Sequence, residues 1–433
     1  MAVNHVRNAV HGLLKARGGN FAMTTAMLCF PLIALAGLSV DLWNAYETKT
    51  KLDQVADSAA LAAINTSSKA FANSSSGQGK ASWDSEAQAF FTGNKAAIDP
   101  RLSVSVTADV QRNGLTLTSL VHYQTSMPTM FMGLVGVEHM DISGTATAEF
   151  NVGEYYNVHV LVDNSPSMGI GASQSDVDVM QAKMGCAFAC HDLSGSMNNL
   201  PKATSLGVKL RIDVVSMSLR KLADMISTNV GQKGLYQLAL YSLGAKAEDA
   251  VARPLSLVQS LTHDMAAFKT SAQGVKLMIM PKYNYNNYAV GYINQSIQMI
   301  NKEIPVSGDG LGVNSPRQVL LLITDGVEDR LTTASGCFGI FQYGRCTQYI
   351  NVSECQKLKN RGVLIAVLHT IYLPITTNDN YINWVRAFAP KIGPALESCA
   401  SPNLYEAVDM NSDMSVGLNQ LFKRATNMPR LTF

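Results

Sequence analysis

Charge is scarce in this chain: 15% of its 433 residues are Asp, Glu, Lys or Arg, and 34 basic against 32 acidic side chains leave a net charge of +2. So balanced a surface builds no field that would gather nucleic acid or an anionic lipid surface. No internal repeat is apparent. No G-x-S-x-G elbow frames a serine, and no histidine stands in a motif that would make it a base, which argues against a hydrolase. Cys186 and Cys190, followed by His191, have three residues between them where haem attachment has two, and they fall short of the four ligands of a structural zinc site. What the chain has in plenty is apolar side chains, 47% by count, which argues against disorder and allows a substantial core. Its length exceeds what one hydrophobic core normally serves, so two or more units are expected.

One apolar run is long enough to leave water altogether. Residues 21–40 (FAMTTAMLCFPLIALAGLSV) carry no charge and Asp41 closes them. As a helix they span roughly 30 Å, the thickness of a bilayer's hydrocarbon core. Arg7, Lys15 and Arg17 before the run favour an inside N-terminus, while Lys49 and Lys51 behind it weaken the bias. A cleaved signal peptide competes with this reading, because Ala34-Leu35-Ala36 before Gly37 has the small-x-small pattern of a peptidase site. Against it, the run is long for a signal core and continues past Asp41 without a breaker. Either reading exports the rest of the chain. Pro31 within the run is expected to kink the helix. Cysteine usage agrees with export: Cys29 lies in the apolar run, and Cys186, Cys190, Cys337, Cys346, Cys355 and Cys399 lie beyond it. Six cysteines allow fifteen pairings. Proximity favours Cys186 with Cys190, Cys337 with Cys346, and Cys355 with Cys399.

Beyond the run, Leu52, Val55, Ala56, Ala59, Ala60 and Ala63 recur at helical spacing, so the membrane helix is expected to continue over 41–64. A Ser/Gly/Asn-rich stretch follows, and 65–95 is read as a linker. The period then changes to two, in runs at 102–110, 115–123 and 140–152 with the turn Gln111-Arg112-Asn113-Gly114 between the first pair. A small antiparallel β region over 96–153, fed by a long helix, is a pilin-like plan. From 154 on, strand-like and helix-like segments alternate: 158–163, 207–227, 236–243, 288–303, 317–326, 362–373 as the last strand, 381–389 and 412–426. The runs VHVLV, VLLLI and VLIAVL have the continuous apolarity of strands buried on both faces, which predicts an α/β, doubly wound fold.

In such a sheet, ligands bind at the carboxyl ends of strands near the switch in strand order. Asp163 ends VHVLVD and opens Asp163-Asn164-Ser165-Pro166-Ser167, and Asp325 ends VLLLITD before Gly326. A hard divalent cation takes oxygen ligands, and hydroxyls two residues apart on a tight turn can face the same centre as the carboxylate before them. The competing reading is a turn held by local side-chain hydrogen bonds.

The segments VLVDNSPSMG and LLLITDG resemble the first and last parts of the metal-ion-dependent adhesion site (MIDAS) of von Willebrand factor A domains. That resemblance implies a Rossmann-like domain over 154–433, with inserts near 169–205 and 331–355, holding Mg, Mn or Ca through Asp163, Ser165, Ser167 and Asp325. The family's middle loop supplies a Thr. Residues 283–291 (YNYNNYAVG) resemble that loop, but Asn286 stands in the Thr position, where an amide oxygen would have to ligate. The tyrosines at 283, 285 and 288 form either a contact surface beside the metal or partly buried packing. Residues 17–63, from RGGNFAMTT to SAALAA, are similar to the start of TadE/TadG-like proteins of the tight-adherence (Flp-type) pilus machinery, and MPTMFMGLVGVEHMDISGTATA at 127–148 is similar to their connecting region. Gly18-Gly19 is not expected to be a prepilin cleavage site, since Thr24 stands where the usual Glu would be.

Together the resemblances imply a non-enzymatic, single-span inner-membrane protein with a cytoplasmic 1–20, a span at 21–40 and a periplasmic body. In this family the metal keeps one coordination position open, which a partner carboxylate fills. The expected partner is another pilus or secretion component, or a surface target; no nucleic acid or small-molecule substrate is expected. The alternative is a structural minor pilin-like subunit that acts through its N-terminal helix, with the A domain as passenger.

Overall fold

Helix α1 (Gly19–Ile64) takes up the whole apolar run and passes Pro31 and Asp41 without ending. The computed structural model describes residues 19–65, 67–72, 80–95, 98, 102–187, 191–193, 198–228, 234–281, 291–372, 374, 378–409 and 412–426. The chain divides into two units, Met1–Val152 and Gly153–Phe433.

In the first unit α1 changes character along its length. Met27, Leu28, Leu32, Ile33 and Leu35 are all more than half exposed, with no protein covering them, whereas Leu52, Ala56, Ala59, Ala60 and Ala63 are fully buried. Their spacing puts the second set on one stripe of the helix. Among the described residues, α1 is the one helix whose length and composition suffice to cross a membrane. Its buried stripe packs on a three-stranded antiparallel sheet, in the order β1 (Val104–Asn113), β2 (Thr116–Pro128), β3 (His139–Asn151). The Tyr123 hydroxyl, buried under that stripe, donates to Asp53 Oδ1 at 2.6 Å.

The stretch read as a linker, 65–95, contains two helices, α2 (Lys69–Ala72) and α3 (Lys80–Lys95). Trp83, Ala87 and Phe91, each four residues apart, are buried in the core, and Phe91 stacks on Tyr123. The Ser/Gly-rich composition that marks a linker ends at Gly79, and Lys80 begins a helix with an apolar stripe of its own.

 The linker assignment is therefore corrected: composition hides a helix whose apolar residues are few but regularly spaced.

From Gly153 on, strands and helices alternate. The order is β4 (Tyr156–Val162), α4 (Gln174–Met184), α5 (Leu200–Ser205), α6 (Arg211–Thr228), β5 (Tyr236–Ser242), α7 (Ala247–Ala252), β6 (Ser256–Thr262), α8 (Met265–Gln273), α9 (Ile293–Glu303) and β7 (Arg317–Thr324). Then come β8 (Val327–Leu331), β9 (Ile340–Gln342), β10 (Arg345–Tyr349), α10 (Val352–Lys359), β11 (Leu364–Thr370), α11 (Asp379–Trp384), α12 (Ala389–Cys399), β12 (Tyr405–Val408) and α13 (Met414–Ala425). Six strands form one sheet in the order β12-β11-β7-β4-β5-β6, all parallel except the edge strand β6. Helices α6, α8 and α13 pack together in one layer, and α9, α10 and α12 in the other. Strands β4 and β7 are buried almost throughout, as their unbroken apolar runs require.

Two strands escape the sequence pattern. β12 follows the segment expected to be last and is only four residues long, and β6 mixes exposed and half-buried positions because it lies at the edge. The insert near 331–355 is a small antiparallel sheet, β8-β10-β9, closed by the Cys337–Cys346 disulfide. A second disulfide, Cys355–Cys399, joins α10 to α12. Cys186 is disulfide-bonded as well; Cys190, the partner expected for it, lies outside the described residues. Cys29 is free and exposed.

The two described disulfides close sequence loops of 44 and 9 residues. Replacing Cys355 and Cys399 together by Ala is expected to cost about 4 kcal/mol, against about 2.5 kcal/mol for Cys337 and Cys346, by the loop-entropy relation. Urea unfolding of the two double variants measures the ranking.

Candidate metal centre

The chain runs from β4 outward through β5 and β6, then returns to place β7 on the other side of β4, so the order of the sheet reverses between these two strands. Val162 pairs with Ile323, and the Asp163 amide donates to the Ile323 carbonyl at 2.9 Å. Asp163 and Asp325 thus leave the carboxyl ends of neighbouring strands at the switch point, and both are wholly buried.

The loop after β4 is braced from three sides. Asp163 Oδ1 accepts from the Ser165 amide at 2.9 Å, and Pro166–Gly169 form a single 3₁₀ turn. That turn sets the Ser165 and Ser167 hydroxyls 3.0 Å apart. Asn164, also buried, donates to the Gly244 carbonyl at 2.7 Å and the Lys276 carbonyl at 3.1 Å, and accepts from the Leu243 amide at 3.0 Å. His191, buried, reaches the Gly169 carbonyl at 3.0 Å. From β7, Thr324 donates its hydroxyl to Asp163 Oδ2 at 2.7 Å and accepts from the Gly326 amide at 2.9 Å. Gly326 has φ +78°, and a Cβ there would meet Ile392 Cγ2 at 2.6 Å, so only glycine lets the chain turn away after Asp325.

Asp325 Oδ1 accepts from the Val327 amide at 3.1 Å, but its buried Oδ2 has no hydrogen-bond partner. A buried carboxylate oxygen is expensive to leave without a hydrogen-bond donor or an opposite charge. Burial, and then the neighbouring Asp163 carboxylate, push the Asp325 carboxyl up to about 7, although Ser167 and Arg211 pull the other way. Burial also raises Asp163, against the hydrogen bonds of Ser165 and Thr324. Arg211, at the start of α6 and almost fully buried, donates to the Ile371 carbonyl at 2.6 Å and lies over the Tyr372 ring. Its charge offsets part of the negative charge at Asp325.

Two carboxylates and two hydroxyls converging at one buried strand edge are the all-oxygen donors that a hard divalent cation takes. Among the described residues there is no cluster of three or more His, Cys, Asp and Glu side chains. Asn286, and with it Tyr283, Tyr285 and Tyr288, lies outside the described residues. Thr324, Asn164 and Arg211 escaped the sequence reading. Thr324 directly precedes Asp325 and Asn164 directly follows Asp163, so their adjacency was visible. Nothing in the sequence relates Arg211 to Asp325.

A doubly wound sheet with paired Asp loops at its switch point has the architecture of a von Willebrand factor A-type domain, here preceded by a unit with a long apolar helix. Residues 19–74 match a family model described as putative Flp pilus-assembly TadE/G-like. That match covers the N-terminal part of the chain alone. Among solved structures, the chain is similar to the vWF domain of the type V pili tip protein Mfa5 from Porphyromonas gingivalis, at 10% identity and a TM-score of 0.37, covering 65% of this chain and 98% of that one. It is also similar to a mutant of the PilB minor pilin from Streptococcus sanguinis, at 7% identity and a TM-score of 0.36, covering 76% and 79%. A third is the adhesive tip pilin GBS104 from Group B Streptococcus agalactiae, at 9% identity and a TM-score of 0.33, covering 74% and 68%. No curated protein sequence matches the chain.

Because the folded Asp325 holds its proton up to about pH 7, against an ordinary 3.8, the folded state binds more protons than the unfolded one between these values. Stability of the protein in chelator is therefore expected to fall as pH rises from 4 to 7 in this window. Asp325→Asn should flatten that fall, and thermal melts across the window measure it.

Proposed function

We propose that this protein is a non-enzymatic, membrane-anchored component of tight-adherence pilus assembly or adhesion that binds a protein partner through a divalent cation. The observation that carries the reading is the buried Asp325 Oδ2, which lacks a partner beside Asp163 and the Ser165 and Ser167 hydroxyls. Asp163, Ser165, Ser167 and Asp325 hold the ion, with Asn286 in the place of the family's Thr. Held by these residues, a divalent cation would supply the positive charge that a carboxylate of the partner could meet. The chain's own groups do the rest: Asn164 and Thr324 fix the two loops, and Arg211 limits the repulsion between the two carboxylates. The TadE/G-like segment and the apolar half of α1 support anchoring in the inner membrane, with the N-terminus inside and both units periplasmic. The similarity of solved pilus tip proteins and a minor pilin is consistent with this place of work, though the reading rests on the site.

Mg²⁺, Mn²⁺ or Ca²⁺ at 100 times its dissociation constant is expected to stabilise the wild-type protein by about 2.7 kcal/mol. For a domain of this size that is a rise in melting temperature of about 5–10 °C. Asp163→Ala should fold and lose the shift. Calorimetry that finds no shift with any of the three ions in the wild type would end the metal reading.

The second reading, a structural subunit working through α1, is favoured by the family match, which covers 19–74 and not the A-type domain. Deleting 155–433 separates the two. Lost pilus assembly is expected if the metal-bearing domain does the binding, and retained assembly would support the structural role; counting pili on cells carrying the deletion decides.

A further inference from the structure

The loop between β2 and β3 is apolar where a solvent-facing loop would be polar. Residues 129–137 carry no charged side chain, and Met130, Leu134 and Val135 are 72%, 76% and 60% exposed. An exposed apolar patch of this kind calls for an occupant. The loop is tied to the end of the apolar half of α1. Asp41, itself buried, accepts the amides of Met130, Phe131 and Met132 at 2.9, 2.8 and 2.7 Å. One turn earlier on α1, Gly37 lies under Phe131 so closely that a Cβ there would come within 2.5 Å of Phe131 Cβ. The loop therefore sits level with the last turn of the 21–40 run, beside side chains that are themselves bare.

Its backbone is equipped to leave water. The Thr129 amide donates to the Glu138 carbonyl, Leu134 to Phe131, Gly136 to Gly133 and Val137 to Met132, in addition to the three amides taken by Asp41. Irregular backbone survives at membrane depth only when its polar groups are satisfied within the protein. Just beyond Asp41, Trp43 and Tyr46 are both 67% exposed on α1, the residue types that gather where hydrocarbon meets headgroups.

We propose that the 130–137 loop is a second membrane contact, dipping into the same leaflet that α1 leaves and holding the first unit against the bilayer. The occupant of its apolar face is lipid, because the face is continuous with the bare flank of the spanning helix. The proposal rests on the reading of 21–40 as a span and is independent of the metal centre. Asp41 is the pin: it closes the span, and its carboxylate fixes the loop at that depth.

The test uses the full-length protein carrying Cys29→Ser, reconstituted in nanodiscs of phosphatidylethanolamine and phosphatidylglycerol. A nitroxide is attached in turn at Leu134→Cys, Leu35→Cys and Asn113→Cys, the last at the end of β1, paired with the first residue of β2 and so at the far end of the sheet from the loop. The ratio of oxygen to nickel-chelate accessibility at 134 is expected to match that at 35 and to exceed that at 113 several-fold. A water-like ratio at 134 with a lipid-like one at 35 overturns the loop proposal and leaves the span standing. A water-like ratio at 35 overturns both. Low accessibility to both reagents at 134 means that a second copy or another protein surface covers the loop, which also overturns it.

Discussion

The parallel ladder between β4 and β7 is the constraint on which the second unit depends. Because Val162 pairs with Ile323, two strands distant in sequence end at the same level; Asp163 directly follows Val162, and Asp325 follows Ile323 after Thr324. Hydrogen bonding of the sheet thereby forces two carboxylates into one buried place. The apolar strands behind them supply the low-dielectric surroundings that make two neighbouring carboxylates costly. Thr324, Asn164 and the 3₁₀ turn at Pro166–Gly169 then hold the loops against that repulsion rather than relieving it.

A comparable device operates in the first unit with opposite sign of purpose. There a single carboxylate, Asp41, is stabilised by three amides instead of being left wanting a partner. One end of α1 is bare and apolar, the other is sheathed by β2, β3 and α3, and Asp41 stands at the change. The alanines at 56, 59, 60 and 63 let the sheathed half approach its sheet closely, while the large residues at 28, 32, 33 and 35 remain uncovered. A helix with this division of side chains has one half that packs in a protein core and another that no described residue covers.

Much of this was legible before any coordinates. The continuous apolar runs at 158–162 and 319–323 announced strands buried on both faces, and the Asp just past the end of each was visible beside them. The helix over 80–95 was hidden because its three apolar anchors follow a Ser/Gly stretch that reads as linker. β12 and β6 were hidden because one is too short for a period and the other, at an edge, needs no clean alternation. Arg211 was hidden for a different reason: a buried charge is placed by the packing of α6 against the sheet, and no local pattern records that.

By itself the sequence determined that more than one unit was to be expected, the long apolar run, the alternating strands and helices, and which oxygen-bearing side chains, Asp163, Ser165, Ser167 and Asp325, follow the ends of two of those strands. These follow from periodicity and from residue types within a few positions of one another. Only the tertiary structure decided that Asp325 Oδ2 is left without a partner, that Arg211 faces it, and that the loop after β2 is pinned by Asp41 beside the span. Each of those depends on atoms brought together from distant parts of the chain, and burial, which sets their energies, is a property of the packed molecule and not of any one segment.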